Sequence, residues 1–198
     1  MIYSIYLILS YLVGALPFGQ IFSRIKGNID LQRVGSGNIG ATNVARTLGI
    51  KWGLLTLLCD IGKGASIVFV ALHLIKDTNL AAFAGIVAVL GHCYPVYLKF
   101  KGGKGVATAC GAFMVINPAA VSLAVIIFII IMLITRMVSL SSLIAALNFP
   151  VLSSYLGASK MLVYGALVVA LIITYRHKEN IKKLIHGQES QFSFKKKN

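Results

Sequence analysis

Long apolar runs broken by short polar clusters dominate the chain. Residues 1–23 carry no charged side chain, and neither do 78–98 or 137–159. A 17-residue apolar run, 119–135, follows Asn117-Pro118, and 161–175 lie between Lys160 and Arg176. Residues 52–75 are apolar except for Asp60 and Lys63. Each run approaches the about 20 residues that a helix needs to cross a hydrocarbon core of about 30 Å. A seventh run, 105–116 (GVATACGAFMVI), is short and rich in small residues. The pattern predicts an all-α integral membrane protein.

The basic residues decide whether 105–116 counts as a span. With seven crossings and residue 1 outside, the inner segments are 24–51, 99–104, the Arg136 turn and the tail from Arg176, which hold 5, 3, 1 and 7 Lys or Arg. The outer turns hold only Lys76 and Lys160. Six crossings would put Arg136 and the seven-cation tail outside. The positive-inside bias therefore selects seven transmembrane helices, one of them short, with the N-terminus outside and the C-terminus cytoplasmic. Residues 1–23 lack a basic start, and Arg24 and Lys26 follow the run, so it reads as a retained helix rather than a leader.

Composition agrees. The 198 residues are 58% hydrophobic and 12% charged, with a mean hydropathy of +0.85. A soluble domain carries about 25% charged residues. Nineteen basic residues face five acidic ones, a net charge of +14. Sites built from many carboxylates are excluded, and anionic ligands or a membrane surface are favoured. The cations are spread over topological loops, which argues against nucleic acid. Cys59, Cys93 and Cys110 have no metal-ligand spacing, and no metal or cofactor is expected. No linker divides the chain, so residues 1–198 are read as one membrane domain with a loose tail over 190–198.

Five segments carry candidate chemistry. Gly35-Ser36-Gly37-Asn38-Ile39-Gly40-Ala41-Thr42-Asn43-Val44-Ala45-Arg46 places three glycines within six residues. Such a loop either is a flexible connection or lets backbone amides approach a ligand, with Ser36, Asn38, Thr42 and Asn43 adding hydrogen bonds and Arg46 gripping phosphate. Gly91-His92-Cys93-Tyr94-Pro95 leads through Lys101-Gly102-Gly103-Lys104-Gly105 into the short helix. A helix N-terminus beside lysines is an anion site, although the same residues serve as a positive-inside turn. It is not a Walker A loop, because Gly105 stands where Ser or Thr should follow the lysine. Ser139 and Ser142 open the sixth span. Arg176, His177 and Asn180, spaced to share a helical face, close the last, followed by Gly187-Gln188-Glu189. Inside the second span, Asp60 and Lys63 are a structural ion pair or a support for site residues.

These segments, GSGNIGATNVAR at 35–46, Asp60 with Lys63, GHCYPVYLKFKGGKGVAT at 91–108, VSLSS at 138–142 and RHKENI at 176–181 with GQE at 187–189, resemble the bacterial acyl-phosphate:glycerol-3-phosphate acyltransferase (PlsY) family. The resemblance covers nearly the whole chain in order. It implies an inner-membrane enzyme with a cytoplasm-facing site that moves a fatty acyl group from acyl phosphate to glycerol 3-phosphate. The products would be 1-acylglycerol 3-phosphate and inorganic phosphate, the first acylation of phospholipid synthesis. It implies Ser36, Arg46, Lys104, His177 and Asn180 as catalytic residues. Gly37, Asn38, Thr42, Asn43, His92, Gly102, Gly103, Gly105, Ser139 and Ser142 would bind substrate, with Asp60 and Lys63 in support. The implied partners are the two substrates and membrane lipid; protein partners are not implied.

Two other classes fit part of the pattern. A transporter of a phosphorylated metabolite would explain the inner cations and Asp60, but the outer halves of the spans are plainly apolar. A scaffold packed through Gly157, Ala158 and Gly165 would leave both glycine-rich segments without a purpose.

Overall fold

A computed structural model describes residues 2–192; the last six residues of the expected tail, 193–198, lie outside the described residues. The regular structure of the described residues is all helical, without a strand. They form α1 (Ile2–Gly14), α2 (Phe18–Gly27), α3 (Ala41–Leu48), α4 (Ile50–Phe69), α5 (Thr78–Cys93), α6 (Val106–Ile116), α7 (Pro118–Thr135), α8 (Val138–Tyr155), α9 (Lys160–Arg176) and α10 (Lys178–Ile185). Five helical segments are long and apolar enough to cross a membrane: Ile2–Gly27, Ile50–Leu74, Thr78–Leu98, Pro118–Thr135 and Val138–Tyr155. A sixth appears if α9 and α10, bent by 62°, are one broken span. At about 1.5 Å per residue, the 11 residues of α6 fall short of a full crossing. The chain divides into two compact units, Met1–Ile116 and Asn117–Asn198.

In the first unit, helices meet through backbone rather than side chains. Gly14 lies against the Ala88 backbone, and Gly91 against the backbone at Tyr11 and Ala15. Between α4 and α6, Gly64 meets the Thr108 carbonyl and Gly111 meets that of Ile61. A Cβ at any of the four would collide with main chain, which cannot give way. Such small-residue crossings bind helices where lipid offers no hydrophobic drive between them. The expected first span is broken between α1 and α2. Pro17 lacks the amide that would continue the ladder, so the backbone turns at residues 15–17. At the opposite end, Asp77 caps α5 by accepting from the Leu80 amide at 2.9 Å. That bond holds its carboxyl below the usual carboxylate range.

One helix departs from expectation. The sequence reads 24–51 as an inner loop, yet Ala41–Leu48 is helical. Ala41, Val44, Ala45 and Leu48 recur at helical spacing, but over only eight residues inside a polar stretch, short enough to pass for a loop. Val44 and Leu48 pack with Leu31, Ile39, Val34, Trp52 and Leu98 into a small core at the ends of two apolar spans.

In the second unit, α8 packs on both α7 and α9. Asn117 caps α7 with Pro118 in its first turn, and Ser159 caps α9. Gly157 is not a packing residue, because a Cβ there would meet nothing within 4 Å. It stands at φ +74°, where the chain leaves α8. The described part of the tail turns back, and the Phe192 amide donates to the Arg136 carbonyl at 2.7 Å.

Candidate active site

The segment before α3 is ordered by one side chain. Asn43, 2% exposed, accepts from the Ser36 amide at 2.8 Å. Its own amide donates to the carbonyls of Leu31, Val34 and Asn38 at 3.3, 3.1 and 2.8 Å. Asn38 folds the entry to α3 by accepting from the Gly40 amide at 2.8 Å. Gly35 and Gly37 have φ of +62° and +71°, a region that favours glycine. The loop is thus held from within. Ser36, Gly37 and Arg46 are exposed, and Thr42 is half-buried at the start of α3.

The second glycine-rich segment lies beside the first within the same unit. Gln32 Nε2 donates to the Lys101 carbonyl at 2.8 Å, and Leu98 packs on the Leu31–Ile39–Val44 cluster. Its turn is tight: Lys99 and Phe100 have φ of +51° and +63°, and the Phe100 amide donates to the Pro95 carbonyl at 2.9 Å. Lys104, half-buried, stands just before α6.

The three glycines here answer to packing as much as to ligand approach. A Cβ on Gly102 would strike the carbonyls of His92 and Cys93, and one on Gly105 would meet Val89 and Cys93. One on Gly103 would fall on His92 Nε2. The turn is pressed onto the end of α5. Gly103→Ala must therefore displace the His92 ring. Its expected effect is a raised Michaelis constant for a phosphate substrate, by about tenfold, with turnover at saturation less affected. Steady-state kinetics of the purified variant checks this.

Beneath the turn is a buried polar cluster. Lys63 Nζ lies 2.7 Å from Asp60 Oδ1, and His92 Nδ1 is 3.0 Å from Lys63 Nζ. Lys63 also donates to the Leu16 carbonyl at 2.8 Å, at the break before α2. A cavity of about 280 Å³ opens beside that break, lined by Leu16, Pro17, Gln20, Ile21, Arg24, Tyr97 and Leu98. The sequence joined Asp60 with Lys63 by spacing. Nothing in one dimension joined His92 to them.

The second unit gathers the remaining candidates. His177, 1% exposed, sits at the 62° bend between α9 and α10. Its Nδ1 lies 2.8 Å from the Ile173 carbonyl. A carbonyl only accepts, so Nδ1 carries a proton. Because of the bend, Arg176, His177 and Asn180 do not lie on one straight helical face, as spacing alone predicts. Asn180 Nδ2 instead donates to Glu189 Oε1 at 2.9 Å, and Ser139 Oγ donates to the same oxygen at 2.7 Å. Ser142 Oγ donates to its own helix at the Val138 carbonyl, 2.8 Å away.

Glu189 is the residue that sequence reasoning left out of the site. The signal was GQE itself: Gly187, at φ +66°, lets the chain reverse after α10 and return the carboxylate to Asn180 and Ser139. Glu189→Ala removes an acceptor shared by two side chains. Its expected cost is about 2–3 kcal/mol of stability, as for hydrogen bonds to a charged group. A lowered thermal midpoint in detergent checks this, with Glu189→Gln recovering part of the loss.

Comparison with known proteins supports one family. The model of the family described as glycerol-3-phosphate acyltransferase matches residues 4–187. The glycerol-3-phosphate acyltransferase of Syntrophotalea carbinolica is 45% identical over 192 residues, spanning 96% of this chain and 97% of that one. The crystal structure of PlsY (YgiH), an integral membrane glycerol 3-phosphate acyltransferase, in its glycerol 3-phosphate form superposes with a TM-score of 0.93 at 38% identity, covering 98% of this chain and 96% of that one. Its lysophosphatidic acid form gives a TM-score of 0.91 at 36% identity, covering 98% and 97%. The match runs over nearly the whole chain, and this chain belongs to the glycerol-3-phosphate acyltransferase family.

Proposed function

We propose that the protein transfers a fatty acyl group from acyl phosphate to a hydroxyl of glycerol 3-phosphate. The products are 1-acylglycerol 3-phosphate and inorganic phosphate, in the first acylation of phospholipid synthesis. The observation that carries this reading is the pair of glycine-rich segments in one unit, joined through Gln32 and Leu98, with Arg46 on one and Lys104 on the other. Two phosphate-bearing substrates need this inventory of cations, backbone amides and hydroxyls. The membrane setting suits the acyl chain.

Acyl phosphate is a mixed anhydride whose phosphate leaves readily. The acceptor hydroxyl attacks the acyl carbon, the carbon–oxygen bond to phosphate breaks, and no acyl-enzyme is needed. The hydroxyl proton passes to a substrate phosphate. Catalysis then rests on positioning and charge stabilisation. Ser36, Arg46, Lys104, His177 and Asn180 hold the reacting groups. Gly37, Asn38, Thr42, Gly102, Gly103, Gly105, Ser139 and Ser142 shape the binding of the phosphates. Asn43 and His92 act by ordering the two loops, with Asp60 and Lys63 beneath them.

The chain functions as a single domain in the bacterial inner membrane. It has seven spans counting α6, the N-terminus outside and the active site cytoplasmic. The distribution of Lys and Arg supports this arrangement. The test is phosphate release by the purified protein in lipid, given acyl phosphate with and without glycerol 3-phosphate, and acyl-CoA in parallel. Release coupled to 1-acylglycerol 3-phosphate is the expected result. Equal use of acyl-CoA would overturn the donor assignment. Absence of product from folded protein would return the reading to phosphometabolite exchange.

A further inference from the structure

We infer that Lys63 is a positioning residue that sets the tautomer of His92 and, through His92, the shape of the 102–105 turn. Lys63, Asp60 and His92 are 4%, 2% and 5% exposed. An ammonium has three donors and no acceptor. Here it is ion-paired with Asp60 Oδ1 on α4 at 2.7 Å and hydrogen-bonds to the Leu16 carbonyl at the α1–α2 break at 2.8 Å and to His92 Nδ1 on α5 at 3.0 Å, a nitrogen that lies farther, 3.6 Å, from Asp60 Oδ1. A ring nitrogen that accepts from an ammonium presents its lone pair. Nδ1 is then without a proton, and the neutral ring carries its proton on Nε2.

That Nε2 faces the turn. It occupies the space a Cβ on Gly103 would need, and the His92 carbonyl accepts from the Gly103 amide at 3.0 Å. Ring and backbone of one histidine therefore both bear on Gly103. An ion pair alone would need only Asp60. The two further bonds give Lys63 a geometric task. Through Leu16 it holds the break that Pro17 creates and a wall of the adjoining cavity. Through His92 it holds a donor, Nε2–H, against the glycine turn.

The kinetic half of the test rests on the proposed reaction; the spectroscopic half does not. The chain has four histidines, so nitrogen-15 histidine labelling of the whole protein in a bilayer, with His92→Gln to assign its signals, reads the tautomer directly. The expected result is an unprotonated, hydrogen-bonded Nδ1 and a protonated Nε2. In Asp60→Leu/Lys63→Met, which removes both charges together, His92 is expected to populate both tautomers. The Michaelis constant for glycerol 3-phosphate should rise about tenfold or more while turnover at saturation stays within a few-fold.

A protonated Nδ1 or an imidazolium in the unaltered protein overturns the inference, and needs no variant to be seen. A folded double variant with mixed tautomers but an unchanged Michaelis constant overturns the link from His92 to the turn. If the unaltered protein makes no acylated product, the acyltransferase reading fails while the tautomer result still stands.

Discussion

Alanine at Arg46 or at Lys104 is expected to lower turnover by about 10²–10³-fold at each position, the range seen when one preorganised group that stabilises developing charge is removed. Arg46 lies on the exposed side of α3, and Lys104 stands at the entry to α6. The Gln32–Lys101 bond and the packing of Leu98 hold the two segments together in one unit. Arg46 can take a phosphate with two parallel bonds, and Lys104 adds a point charge beside the amides of a helix start. The proposed transfer from acyl phosphate would move negative charge onto the leaving phosphate, where fixed cations act most. Neither side chain belongs to the buried core, so purified variants should keep their thermal midpoints and elute as single species. Turnover within a few-fold of the parent in both variants would remove them from the reaction. Arg46→Lys should recover only part of the loss, because an ammonium cannot offer the paired geometry of a guanidinium.

Asp60→Ala is expected to have the largest effect on the fold, a loss of about 3–5 kcal/mol, the range for breaking a buried ion pair on one side. The substitution leaves the Lys63 ammonium at 4% exposure with two neutral acceptors and no counter-ion of its own. The same ammonium ties α4 to the α1–α2 break and to α5, so the damage spreads beyond one helix. Thermal unfolding followed in detergent measures it. Asp60→Leu/Lys63→Met should be much milder, because two desolvated charges leave together and apolar side chains replace them. A loss below about 1 kcal/mol for Asp60→Ala, the scale of a surface pair, would show that the pair carries little of the fold.

The order and nature of the helices were legible because a membrane imposes its own arithmetic on composition. The expected 52–75, 78–98 and 119–135 correspond closely to Ile50–Leu74, Thr78–Leu98 and Pro118–Thr135. The break at Pro17 was written in the chain but hidden inside an uncharged run, where hydropathy is blind to a missing amide. The helix α3 escaped notice for a different reason: Ala41, Val44, Ala45 and Leu48 do keep helical spacing, but eight residues are barely two turns, and the helix is held because Val44 finds Leu31 and Ile39. The glycine-rich segments stood out by composition. Their internal order did not, since one amide, Asn43, reaches carbonyls 5, 9 and 12 positions away.

By itself the sequence determined a helical membrane protein, its basic polar segments and the residue types able to hold phosphate, because charge and apolar length act on solvation one residue at a time. Tertiary structure alone decided which of those residues meet. It brought His92 to a pair 29 and 32 positions earlier, returned Glu189 to Ser139 across 50 positions, and set Gln32 on Lys101 across 69. Those pairings depend on helix crossings at Gly14, Gly64, Gly91 and Gly111, where backbones touch, and on bends at Pro17 and His177. Such contacts are long-range packing events, and a local pattern of residues carries no record of its distant partner.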